Sequence, residues 1–123
     1  MHEAHFPRRA AIDFYGNGGF RFADMSHRGS ILCLPSGIYA WDVSDISGLA
    51  PEKLDQLLRE AGQVEILLVG TGQDLVPLSA PIKSLLHDHE ISHDPMSTGA
   101  AIRTFNVLLA EKRAVAAALI AVE

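Results

Sequence analysis

The chain has a single cysteine, Cys33, among its 123 residues. That excludes an intramolecular disulfide and any cysteine-rich zinc site. Long apolar runs are missing too. The longest, Ala114 to Val122, has nine residues, whereas a spanning helix needs about 20. The many alternating strands of a membrane β-barrel are also lacking, so no membrane insertion is expected. The segment Met1 to Arg9 contains no apolar core of a secretory signal. Positive charge is scarce: ten Lys and Arg against fifteen Asp and Glu leave a formal net charge of −5. A generally basic nucleic-acid binder is therefore not expected. What is present is 48% hydrophobic and 20% charged residues, enough to build one core in a chain too short for two domains. A soluble cytoplasmic domain is the expectation.

Residues 1–10 mix His, Pro and Arg without periodicity and read as a loose arm; residues 11–123 read as one domain. Short β-like runs follow at Ile12–Tyr15, Phe20–Phe22, Ser30–Leu34 and Ile38–Trp41. Pro35-Ser36-Gly37 marks a turn that makes the last two a strand pair. Pro51 suits a first helical position, because its missing N–H has no partner there. Leu54, Leu57, Leu58 and Ala61 then recur at helical spacing, and Gly62 supplies a stop. Val64–Val69 is nearly all apolar and bounded by glycine, the pattern of a strand covered on both faces. A second helix opens near Ser79-Ala80-Pro81, with Ile82, Leu85, Leu86 and His89 on one face. Glu90–His93 reads as a short strand. Thr98 is expected to cap a third helix whose apolar face is Ala101, Ile102, Phe105, Leu108 and Leu109. Val115–Val122 reads as a buried last strand, although its alanines favour helix. The alternation in the second half predicts an α/β fold with parallel neighbours, and the β-rich first half adds antiparallel strands to one side. The expected core includes Ile31, Leu34, Leu54, Leu57, Leu58, Ile66, Leu68, Leu85, Ile102, Phe105 and Leu108.

Four segments carry a family resemblance: Tyr15–Phe20 (YGNGGF), Leu34–Gly37 with Trp41, Leu67–Gly72 (LLVGTG) and Met96–Leu108 (MSTGAAIRTFNVL). In this order they resemble a family of small α/β domains that includes archaeal members and the third assembly factor of mitochondrial respiratory complex I. The resemblance covers residues 11–122. It implies a three-layer domain with a central mixed β-sheet, and a role in assembly through protein partners, either respiratory subunits or membrane-protein biogenesis factors. It implies no cofactor and no catalytic residues. Where the family often has Asp, Cys and Tyr, this chain has Ser97, Ile102 and Phe105, so a mechanism built on that acid or thiol could not run here.

The residues offer two binding candidates. Gly70-Thr71-Gly72 follows a buried strand, and glycine turns expose N–H groups that can hold an anion, with the Thr71 hydroxyl assisting. The segment is neither a phosphate-binding P-loop nor GxGxxG, both of which need more residues at fixed spacing. The alternative is a plain strand-to-helix turn. Thr98, Arg103 and Asn106 lie at and beyond the start of the third helix, where unpaired N–H groups and the dipole favour anions. Arg103 and Asn106 are three apart and share a face; the alternative is that they satisfy backbone groups. If the helix between the two strands makes a right-handed crossover, the strands run parallel and their carboxyl ends meet at one sheet edge. Arg103 is about 7.5 Å along the helix from Thr98 at 1.5 Å per residue, within reach of the helix start. A shared crevice lined by Gly70, Thr71, Gly72, Thr98, Arg103 and Asn106 is the expectation.

Other chemistry is thin. His87 and His89 point about 200° apart on a helix and cannot chelate together; with His93 they read as a polar helix end, and no metal is expected. His2 and His5 fall in the arm. Cys33 sits in an apolar run that makes a thiol inert. Ser36 does not match the GxSxG nucleophile elbow, and Trp41 reads as a packing anchor. Three functions stay open: a non-catalytic assembly or adaptor domain, peripheral to a membrane complex; a domain binding a small molecule or anion at Gly70–Gly72 and Thr98; and an enzyme, for which no nucleophile–base pair or paired carboxylates stand out.

Overall fold

A computed structural model of the chain describes residues 6–123, so His2, His5 and the start of the arm lie outside the described residues. A small antiparallel sheet comes first: β1 (Phe14–Gly16), β2 (Gly19–Phe22) and β3 (Met25–Arg28), in that order. The hairpin β4 (Ile31–Leu34) and β5 (Gly37–Ala40) follows. Next are a 3₁₀ turn at Pro51–Leu54, the short helix α1 (Asp55–Arg59), β6 (Ile66–Gly70) and α2 (Ala80–Asp88). β7 (Ser92–Met96), α3 (Thr98–Ala110) and β8 (Val115–Leu119) complete the chain.

The five-stranded sheet has the order β5-β4-β8-β6-β7. β6 pairs parallel with both β7 and β8, and β4 pairs antiparallel with β8. The expected mixed α/β fold is therefore present, with antiparallel strands on one side of a parallel unit. β8 is the central strand, and every residue of Val115–Leu119 is buried. Its alanines follow from that position: Ala116 and Ala118 face one core and Ala117 the other, and small side chains let both outer layers approach the sheet.

Those layers differ. On one face Leu54, Leu57, Ile82 and Leu86 cover Leu67, Val69 and Trp41. On the other, Ile102 and Phe105 of α3 join Phe20 and Phe22 of the small sheet over Ile31, Ile38 and Leu68. Of the expected core residues, Ile31, Leu34, Leu54, Leu57, Leu68, Ile102 and Phe105 are buried. Leu58, Ile66, Leu85 and Leu108 are half-buried, since they flank the inward stripes. At the N-terminus, Phe6 and Ile38 exchange N–H···O bonds of 3.1 and 2.8 Å, and the Phe6 ring stands edge-on to Phe22.

Four local readings need correction. The short strand expected at Glu90–His93 is β7 at Ser92–Met96, and Pro95 is accommodated because β7 is an edge strand paired on one side only. β3 was not expected: Met-Ser-His-Arg has no apolar run, and it joins the sheet through backbone pairing with β2. The expected continuous helix from Pro51 is broken into a 3₁₀ turn, five α-helical residues and a further 3₁₀ turn at Ala61–Gln63. Leu54 ends the 3₁₀ turn and Leu57 lies in α1; three residues apart, they share one face and both are buried. The cap of α3 is Ser97, whose Oγ accepts from the Ala100 N–H at 3.4 Å, and Thr98 is the first helical residue.

Candidate functional site

The structure brings Gly70, Thr71, Gly72 and Thr98 together at the carboxyl end of the parallel strands. The Thr98 hydroxyl donates to Ile120 O at 2.7 Å and accepts from the Gly72 N–H at 3.0 Å. The Thr98 N–H returns a bond to Gly72 O at 2.8 Å, and the Thr71 N–H donates to Met96 O at 2.8 Å. The Thr71 hydroxyl donates to Asp74 O at 2.6 Å and accepts from the Val76 N–H at 3.0 Å. A β-carbon on Gly70 would sit 3.0 Å from both Cα and Oγ1 of Thr98. Gly70 is therefore required by close approach, while Gly72, with φ at +111°, is the turn residue.

The joint closes on itself. A hydroxyl has one proton to give, and both threonines give theirs to backbone carbonyls. The Gly72 N–H, which an anion would use, is already taken by Thr98. Thr98 is fully buried and Thr71 is buried. What the sequence presents as a glycine-rich binding turn works chemically as a clasp tying β6, β8 and the start of α3.

Asn106 and Arg103 are not part of it. The Asn106 side chain accepts from the Ile12 N–H and donates to Ile12 O, both at 2.9 Å, taking the place of a strand partner for that one residue. This explains an asparagine in the middle of a helix, where it is a poor former. Arg103 is exposed and makes no ion pair among the described residues. Sequence reasoning also missed Gly99. A β-carbon there would come 2.2 Å from the Tyr15 hydroxyl, so the phenol lies directly on the first turn of α3. The Ser-Thr-Gly string at the helix start was the available signal, because its glycine breaks helix propensity without ending the helix.

Remaining candidates are occupied by structural bonds. Ser36 Oγ donates to Glu60 Oε2 at 2.6 Å and touches the Tyr39 hydroxyl, while the Ser36 N–H donates to Glu60 Oε1 at 3.0 Å. One carboxylate gripping both groups of a turn residue is a clamp holding the β4–β5 hairpin to the end of α1. Trp41 Nε1 donates to Lys53 O at 2.8 Å. Burial pushes the Cys33 thiol far up from its ordinary value, which keeps it protonated. His89 Nδ1 lies 2.9 Å from Leu85 O at the end of α2. A cavity of about 650 Å³ separates the β3–β4 turn from α1, but it is lined by charges of both signs, Arg28, Lys53 and Arg59 with Asp42, Glu52 and Asp55, and Lys53 is paired with Asp42 at 3.1 Å.

With the fold and this clasp in view, comparison with known proteins is decisive on one point. Residues 12–120 match the family described as protein of unknown function, DUF498/DUF598. The chain belongs to that family. It is 38% identical over 118 residues to an uncharacterized protein of Rhodobacter capsulatus, covering 96% of this chain and 90% of that one. It is 28% identical over 118 residues to mouse NADH dehydrogenase [ubiquinone] 1 alpha subcomplex assembly factor 3, covering 96% of this chain and 64% of the mouse protein. A crystal structure from Bartonella henselae, described as an outer membrane protein, superposes with a TM-score of 0.93 at 60% identity, covering 97% of this chain and all of that one. The chain spans roughly six-tenths of the length of the animal assembly factors that it matches. No helix among the described residues is long and apolar enough to cross a membrane.

Proposed function

We propose that this domain is a non-catalytic assembly or adaptor factor that acts by protein–protein contact, with respiratory complex I subunits or membrane-protein biogenesis factors as partners. The observation that carries the reading is the extent of the match to the animal assembly factor. It runs over 96% of this chain, so the whole domain is shared rather than a ligand loop. The clasp supports the same reading: Thr71, Thr98 and Asn106 spend their polar groups on the backbone, which leaves the domain as a scaffold with surfaces to offer. Binding of a small anion at Gly70–Gly72 would first require breaking the Gly72–Thr98 bond. In the Ser36–Glu60 pair the carboxylate is already held by a main-chain donor, which favours a structural use of that pair. The domain works at the cytoplasmic side, peripheral to a membrane complex.

Deleting the gene in the organism that encodes it, and measuring assembled complex I on native gels, tests the reading. Assembled complex should fall severalfold and return when the full chain is restored. Unchanged complex I in the deletion strain would overturn it.

A further inference from the structure

We infer that the outer face of the small sheet β1–β3 docks an acidic, apolar-containing segment of a partner protein; this deepens the assembly reading and rests on it. The face carries an unusual exposed aromatic. Phe14 is 53% exposed on β1, in register with Arg21 on β2 and Ser26 on β3. Its ring leans over Gly16, about 3.7 Å from where a β-carbon there would stand. Beside it lies a shallow depression of about 330 Å³, bordered by Phe14, Gly16, Asn17, Arg21, His27 and Arg28 and by no carboxylate.

Charge makes the face stand out. The whole chain carries −5, yet here two exposed arginines flank one exposed ring. Neither Arg21 nor Arg28 forms an ion pair among the described residues. Carboxylates lie next to it: Asp13 and Asp24 share a neighbouring depression with Phe14 and Arg21, and Asp42, Glu52, Asp55 and Glu123 line others with Arg28, but none borders the depression between the two arginines. An arginine fork matches a carboxylate in two parallel hydrogen bonds. Aromatic residues, phenylalanine included, and arginine are enriched at protein interfaces relative to the rest of the surface. The flanking aspartates would repel an acidic segment that ran the wrong way, so they set its direction.

The test uses the full chain and a fluorescein-labelled peptide of four Glu-Leu repeats, followed by anisotropy. Binding should weaken with salt, should be absent for a Lys-Leu peptide, and should fall at least tenfold in the Arg21→Glu/Arg28→Glu variant, whose melting temperature stays that of the parent. The same variant is then returned to the deletion strain. If complex I depends on the parent chain but the variant restores it fully, this face is wrong while the assembly reading survives. If complex I never depended on the chain, the assembly reading fails and the peptide result alone decides the face. No peptide binding, or binding indifferent to the two arginines, overturns the inference. So does arginine-dependent binding to phosphatidylglycerol vesicles without peptide binding, which would make lipid the occupant.

Discussion

Two regions of this domain contrast sharply: the clasp at Gly70–Gly72 and Thr98, and the outer face at Phe14, Arg21 and Arg28. The first has the residue types of a binding site, yet every polar group discussed there is bonded within the chain and the threonines are buried. In the second, Phe14 and Arg21 read in sequence as ordinary strand and Arg28 as no element at all, yet the face presents an exposed ring and two arginines without ion pairs among the described residues. Residue type alone does not make a site. What matters is whether the donors and charges are left over after the fold has used them.

The contrast predicts that changes at the clasp and its supporting core cost stability, whereas changes on the outer face do not. The largest effect is expected for Phe105→Ala, about 3–5 kcal/mol, because the ring is fully buried; denaturant unfolding measures it. Thr98→Val keeps the shape but leaves the Gly72 N–H and Ile120 C=O without partners, and should cost about 2–4 kcal/mol. A cost near zero would mean that the clasp is not holding the sheet. Asn106→Ala should cost about 1–2 kcal/mol and speed hydrogen exchange at the Ile12 amide, its partner. Arg21→Glu with Arg28→Glu should stay within about 0.5 kcal/mol of the parent. Smallest of all is the expected alkylation of Cys33 in the folded protein at pH 8: none, since burial raises the thiol pKa. Labelling without unfolding would show the core opening at β4.

Much of the fold was legible because apolar spacing reports burial directly. Val64–Val69, the Ile82–Leu86 stripe and the Ile102–Phe105 face all became what their periodicity implied. β3 was not legible, since a strand held by backbone pairing leaves no hydrophobic signature. The meeting of Gly70–Gly72 with Thr98 was readable from the parallel crossover rule. Its closure was not, because it depends on which carbonyl each hydroxyl reaches. Asn106 shows the same limit. Its mid-helix position flagged a special role, but only the fold places Ile12, 94 residues away in sequence, beside it.

The most direct test of the contrast is affinity capture of the tagged full chain from its own organism, with complex I subunits quantified by mass spectrometry. Parent, Arg103→Ala and Arg21→Glu/Arg28→Glu chains are compared at equal folded bait. The account predicts equal recovery of those subunits by the parent and Arg103→Ala, and at least tenfold less by the double variant. Undiminished recovery by the double variant, or loss with Arg103→Ala, would contradict it.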